Sequence, residues 1–69
     1  MKLIIMEWNP TLDGYQKSWL ADNESQVTAS FDPDSTPGST IYVISTKNVY
    51  VKNTNGRWQK AGTTSEVSA

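Results

Sequence analysis

The chain has 69 residues, six basic and seven acidic side chains, a net charge of −1, and neither cysteine nor histidine. This composition excludes disulfides, the usual cysteine and histidine zinc sets and every histidine-dependent nucleophile, and it supplies no basic footprint for nucleic acid or an anionic membrane. One small domain is the upper limit, and its core only just offsets an ordering entropy of about 1.5 kcal/mol per residue. Domains of this size usually carry a staple; with covalent and metal staples excluded, association with copies of itself or with a larger body is what remains.

In chain order, Leu3-Ile4-Ile5-Met6-Glu7-Trp8 reads as a strand whose unbroken apolar character implies cover on both sides, and Asn9-Pro10 ends it. Its apolar run, Leu3 to Met6, falls far short of the roughly 20 residues of a membrane span and of the about 7 to 15 residues of a signal-peptide core, so synthesis in the cytoplasm without export is expected. Asp13-Gly14 within Thr11-Leu12-Asp13-Gly14 supplies a reversal into Tyr15 to Leu20, where Tyr15, Lys17 and Trp19 alternate with Gln16, Ser18 and Leu20 as in a strand; Asp13 can also cap a short helix here, but the alternation and the aromatics favour the strand. Residues 21–30 are polar, and Asp22 or Asn23 can cap one helical turn ending at Gln26. Phe31 is expected to anchor in the core, and Asp32 to Gly38, with two prolines, reads as an extended loop.

The stretch from Gly38 to Lys60 combines strand composition with turn chemistry. Ile41 to Ile44, Val49 to Val51 and a third run beginning at Arg57 predict a three-stranded meander. Thr46-Lys47-Asn48 has the length of a hairpin loop with Asn48 in the left-handed conformation, which pairs Ile44 with Tyr50 and places Tyr42, Ile44 and Tyr50 on one face. Asn55-Gly56 marks the second turn. A two-residue turn pairs Asn53 with Trp58; a Thr54-Asn55-Gly56 loop with a bulge at Gly56 pairs Lys52 with Trp58 and is preferred, because it sets Trp58 beside Tyr50 and Tyr42. The expected fold is therefore all-β, a small antiparallel sheet of four to five strands in a single domain over 1–62, with a polar tail over 63–69. Both faces of the meander are apolar, so the second needs a cover.

Asp22, Glu24, Asp32 and Asp34 match no calcium-loop spacing and read as solvated turn carboxylates; no catalytic, metal or cofactor set is expected. The candidate interface residues are Tyr42, Ile44, Tyr50 and Trp58, with Gly38, Asn48, Asn55 and Gly56 as turn residues. An aromatic ridge of Tyr42, Tyr50 and Trp58 also suits stacking on sugars.

The residues Gly38-Ser39-Thr40-x-Tyr42-Val43-Ile44-x-Thr46-x-x-Val49-Tyr50-Val51-x-Asn53-x-x-Gly56-x-Trp58, preceded by Leu20-Ala21-Asp22 and Pro37, resemble the terminal module of small proteins encoded among the head and tail structural genes of tailed bacteriophages and prophages. The similarity spans Ser18 to Lys60 and defines no functional residues. It implies a virion component without enzymatic activity, a capsid decoration or head–tail accessory subunit that docks the edge or a face of its meander on phage capsid or tail proteins and on copies of itself. The other classes compatible with such a chain are a phage-surface module binding a carbohydrate or host protein, and a small cytoplasmic inhibitor of a host protein.

Overall fold

Five strands, β1 (Lys2–Asn9), β2 (Gly14–Ala21), β3 (Thr40–Val43), β4 (Val49–Lys52) and β5 (Trp58–Lys60), line up in that order in one sheet. The structure, a computed structural model, describes residues 1–68. The all-β class and the C-terminal meander are as expected, but the sheet is mixed. β2 and β3 run parallel, from Ser18 opposite Thr40 to Ala21 opposite Val43, while the other neighbours are antiparallel. Residues 22–39 make this possible, because a parallel neighbour needs a crossover of about a dozen residues or more. That crossover holds one 3₁₀ turn, Glu24–Gln26, and lies over one face of β2 to β5.

Beneath it sits the core: Ala21, Val27, Ile41, Val43 and Trp58, with Met1, Trp19, Phe31, Tyr50 and Val67 packed around them. Phe31 is the anchor expected of it. Its ring meets Trp19 edge-on at 4.9 Å and lies 6.1 Å from Trp58, and its carbonyl accepts the Trp58 indole N–H at 2.8 Å. The Asp32 to Gly38 segment is more than a surface loop, since Ser35 and Thr36 are buried and Ser35 bridges to Tyr15.

Each hairpin has its own turn chemistry. Between β1 and β2 the loop is 10–13, with Asp13 at φ 51° and the Asn9 side-chain oxygen accepting the N–H groups of Thr11 and Leu12. Gly14 already belongs to β2; a Cβ there would lie 2.8 Å from Thr36 Cγ2.

The β3–β4 hairpin departs from the expected register. Its loop is 44–47 and its pairs are Thr40–Val51, Ile41–Tyr50 and Tyr42–Val49. The left-handed residue is Lys47, at φ 61°, not Asn48. Asn48 instead pairs with Val43 across the strands, and its side-chain amide donates to Glu24 at 2.7 Å. The shift separates Tyr50 from Tyr42: Tyr50 shares the core face with Ile41, Val43 and Trp58, and Tyr42 points the other way.

The β4–β5 turn has the preferred form, with Lys52 opposite Trp58 and Gly56 at φ 76°. Asn53 organises it, its side-chain oxygen accepting from the N–H groups of Asn55 and Arg57 at 3.0 Å each. A Cβ on Gly56 would meet nothing within 4 Å, so a substitution there acts through backbone strain alone. Gly56→Val is expected to cost about 1 to 2 kcal/mol, and Gly56→Asn clearly less. A thermal melt compares the three proteins, and an unchanged curve for Gly56→Val would reject the turn assignment.

The polar tail, expected over 63–69, returns along β5 as far as it is described; Ala69 lies outside the described residues. Lys60 donates its N–H to the Ser65 carbonyl at 2.9 Å, Val67 donates to the Trp58 carbonyl at 2.8 Å, and Gln59 bridges to Glu66. Val67, the tail's single aliphatic side chain, packs against the core cluster and ties it down.

Candidate functional site

The two edges of the sheet are treated differently. At the β5 edge the tail occupies the backbone groups through Ser65, Glu66 and Val67. At the other edge β1 pairs with β2 alone, and among the described residues no segment lies along its outer side. Docking through the edge of the meander, one of the two modes expected for it, therefore meets an edge that the chain has already filled.

β1 was expected to be covered on both sides and is covered on neither. Leu3 is 37% exposed, Ile4 53%, Ile5 51%, Met6 52% and Trp8 52%. The crossover and tail are spent on β2 to β5, and among the described residues no helix or second sheet covers β1. A one-residue bulge at Ile4 divides the strand: Leu3 pairs with Trp19, and Ile5 with Ser18. Leu3, Met6 and Trp8 consequently share the core-side face with Trp19, Lys17 and Tyr15, whereas Lys2, Ile5 and Glu7 share the opposite face with Leu20, Ser18 and Gln16. Trp8 and Tyr15 meet edge-on at 5.1 Å beyond the reach of the crossover, and Leu12 is exposed at the hairpin tip.

An apolar edge strand with open N–H and C=O groups is a template for another chain, and soluble proteins normally blunt such an edge. Here the blunting devices are few. Lys2 and Glu7 are the charges of β1, and the bulge sits near its start.

The residues singled out from sequence do not converge. Tyr42 and Ile44 are exposed, at 39% and 45%, on the outer side of β3 and in the loop after it. Tyr50 is half-buried on the opposite face, and Trp58 has no exposed surface. The ridge of Tyr42, Tyr50 and Trp58 therefore does not form, which removes the feature that favoured sugar stacking. Of the turn residues, Gly38 (φ 92°) and Gly56 hold positive φ, Asn55 lies in its turn, and Asn48 does not take the left-handed conformation.

Two polar features were not foreseen. Glu24 clamps the 3₁₀ turn to the β3–β4 hairpin, accepting from the Thr46 hydroxyl, the Asn48 amide at 2.7 Å and the Tyr50 hydroxyl at 2.6 Å. Those bonds, Thr46's first, hold its carboxyl below the usual range, and the bond to Glu24 pushes the Tyr50 phenol up to about 12. The second is Lys52, buried with its ammonium donating to the Asp32 carbonyl at 2.8 Å and the Ser35 hydroxyl at 3.2 Å. Asp32 completes that cluster, its carboxylate taking the Lys17 ammonium at 3.1 Å and the Trp19 indole N–H at 3.2 Å. Glu24 and Asp32 are thus structural rather than freely solvated, and among the described residues no group of three carboxylates is placed to hold a metal ion.

The clamp carries a pH signature. A depressed carboxyl contributes stability that is present above its unfolded value and lost as pH falls through its folded value; a raised phenol contributes stability that is complete below pH 10 and lost as pH rises toward about 12. Urea midpoints measured across pH are expected to fall at both ends in the parent and to change less steeply at both ends in Glu24→Gln. Superimposable profiles would contradict the clamp.

No protein-family model, curated protein or solved structure matches the chain.

Proposed function

We propose that this chain is a non-enzymatic structural subunit, an accessory component of a tailed-phage virion that docks on a repetitive assembly through its β1 edge and the apolar side chains beside it. The observation that carries the docking is the exposure of Leu3, Ile4, Ile5, Met6 and Trp8 along a strand with one side unpaired. The virion setting rests on the resemblance of the Gly38 to Trp58 pattern to modules encoded among head and tail genes. Strand addition suits the geometry: main-chain hydrogen bonds to β1 supply register, and each apolar Å² removed from water contributes about 25 cal/mol.

Quantitative mass spectrometry of purified particles from the phage that encodes the chain tests this. The expected result is the chain at a fixed copy number that follows the particle's symmetry. Presence in the lysate with absence from particles would overturn the proposal in favour of an inhibitor of a host protein.

A further inference from the structure

We infer that the β1 edge is built to pair with β1 of a second copy, antiparallel across a two-fold axis at Ile5, to give one continuous ten-stranded sheet. The inference rests on the reading of β1 as the docking edge and deepens it: a second copy takes the strand-addition site, and the apolar side chains beside that edge are what the resulting dimer presents to the assembly.

The bulge supplies the argument. Measured against β2, Leu3 and Ile4 together occupy the single step opposite Trp19, so Lys2 lies opposite Leu20, Ile5 opposite Ser18 and Glu7 opposite Gln16. Ile5 is then two steps from Lys2 and two steps from Glu7, and all three share one face. Without the extra residue, Lys2 and Glu7, an odd number of positions apart, would fall on opposite faces. The bulge brings the charges of the strand onto the same side, at equal distances from an isoleucine.

An antiparallel two-fold must pass through a residue facing its own copy. Placed at Ile5, it sets Ile5 against Ile5, Lys2 of each copy against Glu7 of the other, and, on the second face, Met6 of each copy against the Leu3–Ile4 step of the other. Charge meets opposite charge twice, and apolar meets apolar everywhere between. A parallel, in-register pairing would oppose Lys2 to Lys2 and Glu7 to Glu7. Neither charge has an ion-pair partner among the described residues, where the Lys17–Asp32 pair is the salt bridge formed. A shallow groove lined by Ile5, Glu7, Gln16 and Ser18 opens on this face, where the stem of the opposing Lys2 would lie. The occupied β5 edge leaves the pairing closed at two copies, since each has one free edge.

The test is a charge swap read by sedimentation equilibrium on the full chain, with near-ultraviolet circular dichroism to confirm that each variant keeps its fold. Lys2→Glu and Glu7→Lys each place like charges across the axis at both ends, and each is expected to weaken the dimer about tenfold or more. The double variant Lys2→Glu/Glu7→Lys exchanges the partners and is expected to restore the parent affinity, which no loss of folding can imitate. A parent protein that stays monomeric to about 1 mM, or a dimer that all three variants leave unchanged, would overturn the inference. A monomer that nonetheless appears in particles would defeat self-pairing and leave the docking proposal standing; a charge-swappable dimer absent from particles would do the reverse.

Discussion

Trp58→Ala is expected to leave much of the population unfolded at room temperature. Trp58 is the largest fully buried side chain, clustered with Ala21, Val27, Ile41 and Val43 and close to Phe31 of the crossover. Truncating a buried aromatic to alanine costs about 3 to 5 kcal/mol. The chain's whole stability, at about 0.05 to 0.15 kcal/mol per residue, is of the same size. Two losses combine: the ring volume, and the indole donor that satisfies the Phe31 carbonyl at 2.8 Å. Trp58→Phe separates them, keeping most of the packing and removing the donor, and is expected to lose about 1 to 2 kcal/mol. Urea denaturation followed by near-ultraviolet circular dichroism checks both. A Trp58→Ala protein within about 1 kcal/mol of the parent would mean that the crossover does not close over the sheet as described.

The second large effect is at Lys52, 4% exposed, with its ammonium 5.1 Å from the Trp58 ring centroid. Lys52→Ala removes the hydrogen bonds to the Asp32 carbonyl and the Ser35 hydroxyl and also the apolar stem that lies along the core. About 3 kcal/mol is expected to be lost, the hydrogen bonds to a charged donor and the buried methylenes contributing comparably. Lys52→Met keeps the stem and loses the hydrogen bonds alone, so its cost is expected to be about half that of Lys52→Ala. Burial lowers the affinity of this amine for its proton, assisted by Lys17 and opposed by Asp32 and Asp34. Between its folded value and the ordinary 10.5 the unfolded chain binds more protons, so stability attributable to Lys52 rises with pH there. Lys52→Met is expected to lose that rise. Equal losses for the alanine and methionine variants would show that the hydrogen bonds, not the stem, dominate.

The strands were legible because their signals are local. The Val49-Tyr50-Val51 run, the alternation from Tyr15 to Leu20 and the glycine at Gly56 each specify backbone without reference to distant residues. Register between β3 and β4 was not legible, because Asn48 is the usual left-handed residue of such a loop, whereas here it lies opposite Val43 just before β4 with its side chain held by Glu24, far away in sequence. The parallel β2–β3 pairing was hidden for a related reason: residues 22–39 carry weak signals of their own and act through Val27, Phe31 and Ser35, whose partners lie elsewhere in the chain. The shared face of the candidate interface residues depended on that register, and the observed register leaves Tyr42 exposed and Trp58 enclosed. The β1 edge is not legible because a run such as Leu3 to Met6 reads the same in a central strand and at an uncovered edge. The residues that distinguish the cases are Lys2 and Glu7, and their relation depends on a bulge that sequence does not reveal.

Amide hydrogen exchange, compared between dilute and concentrated protein, tests most directly whether β1 is the docking edge. The expected result is protection gained on assembly at the outward-facing amides between Lys2 and Trp8, with the amides of β5 and residues 65–67 equally protected in both states. Protection gained along the meander with none at β1 would contradict the account.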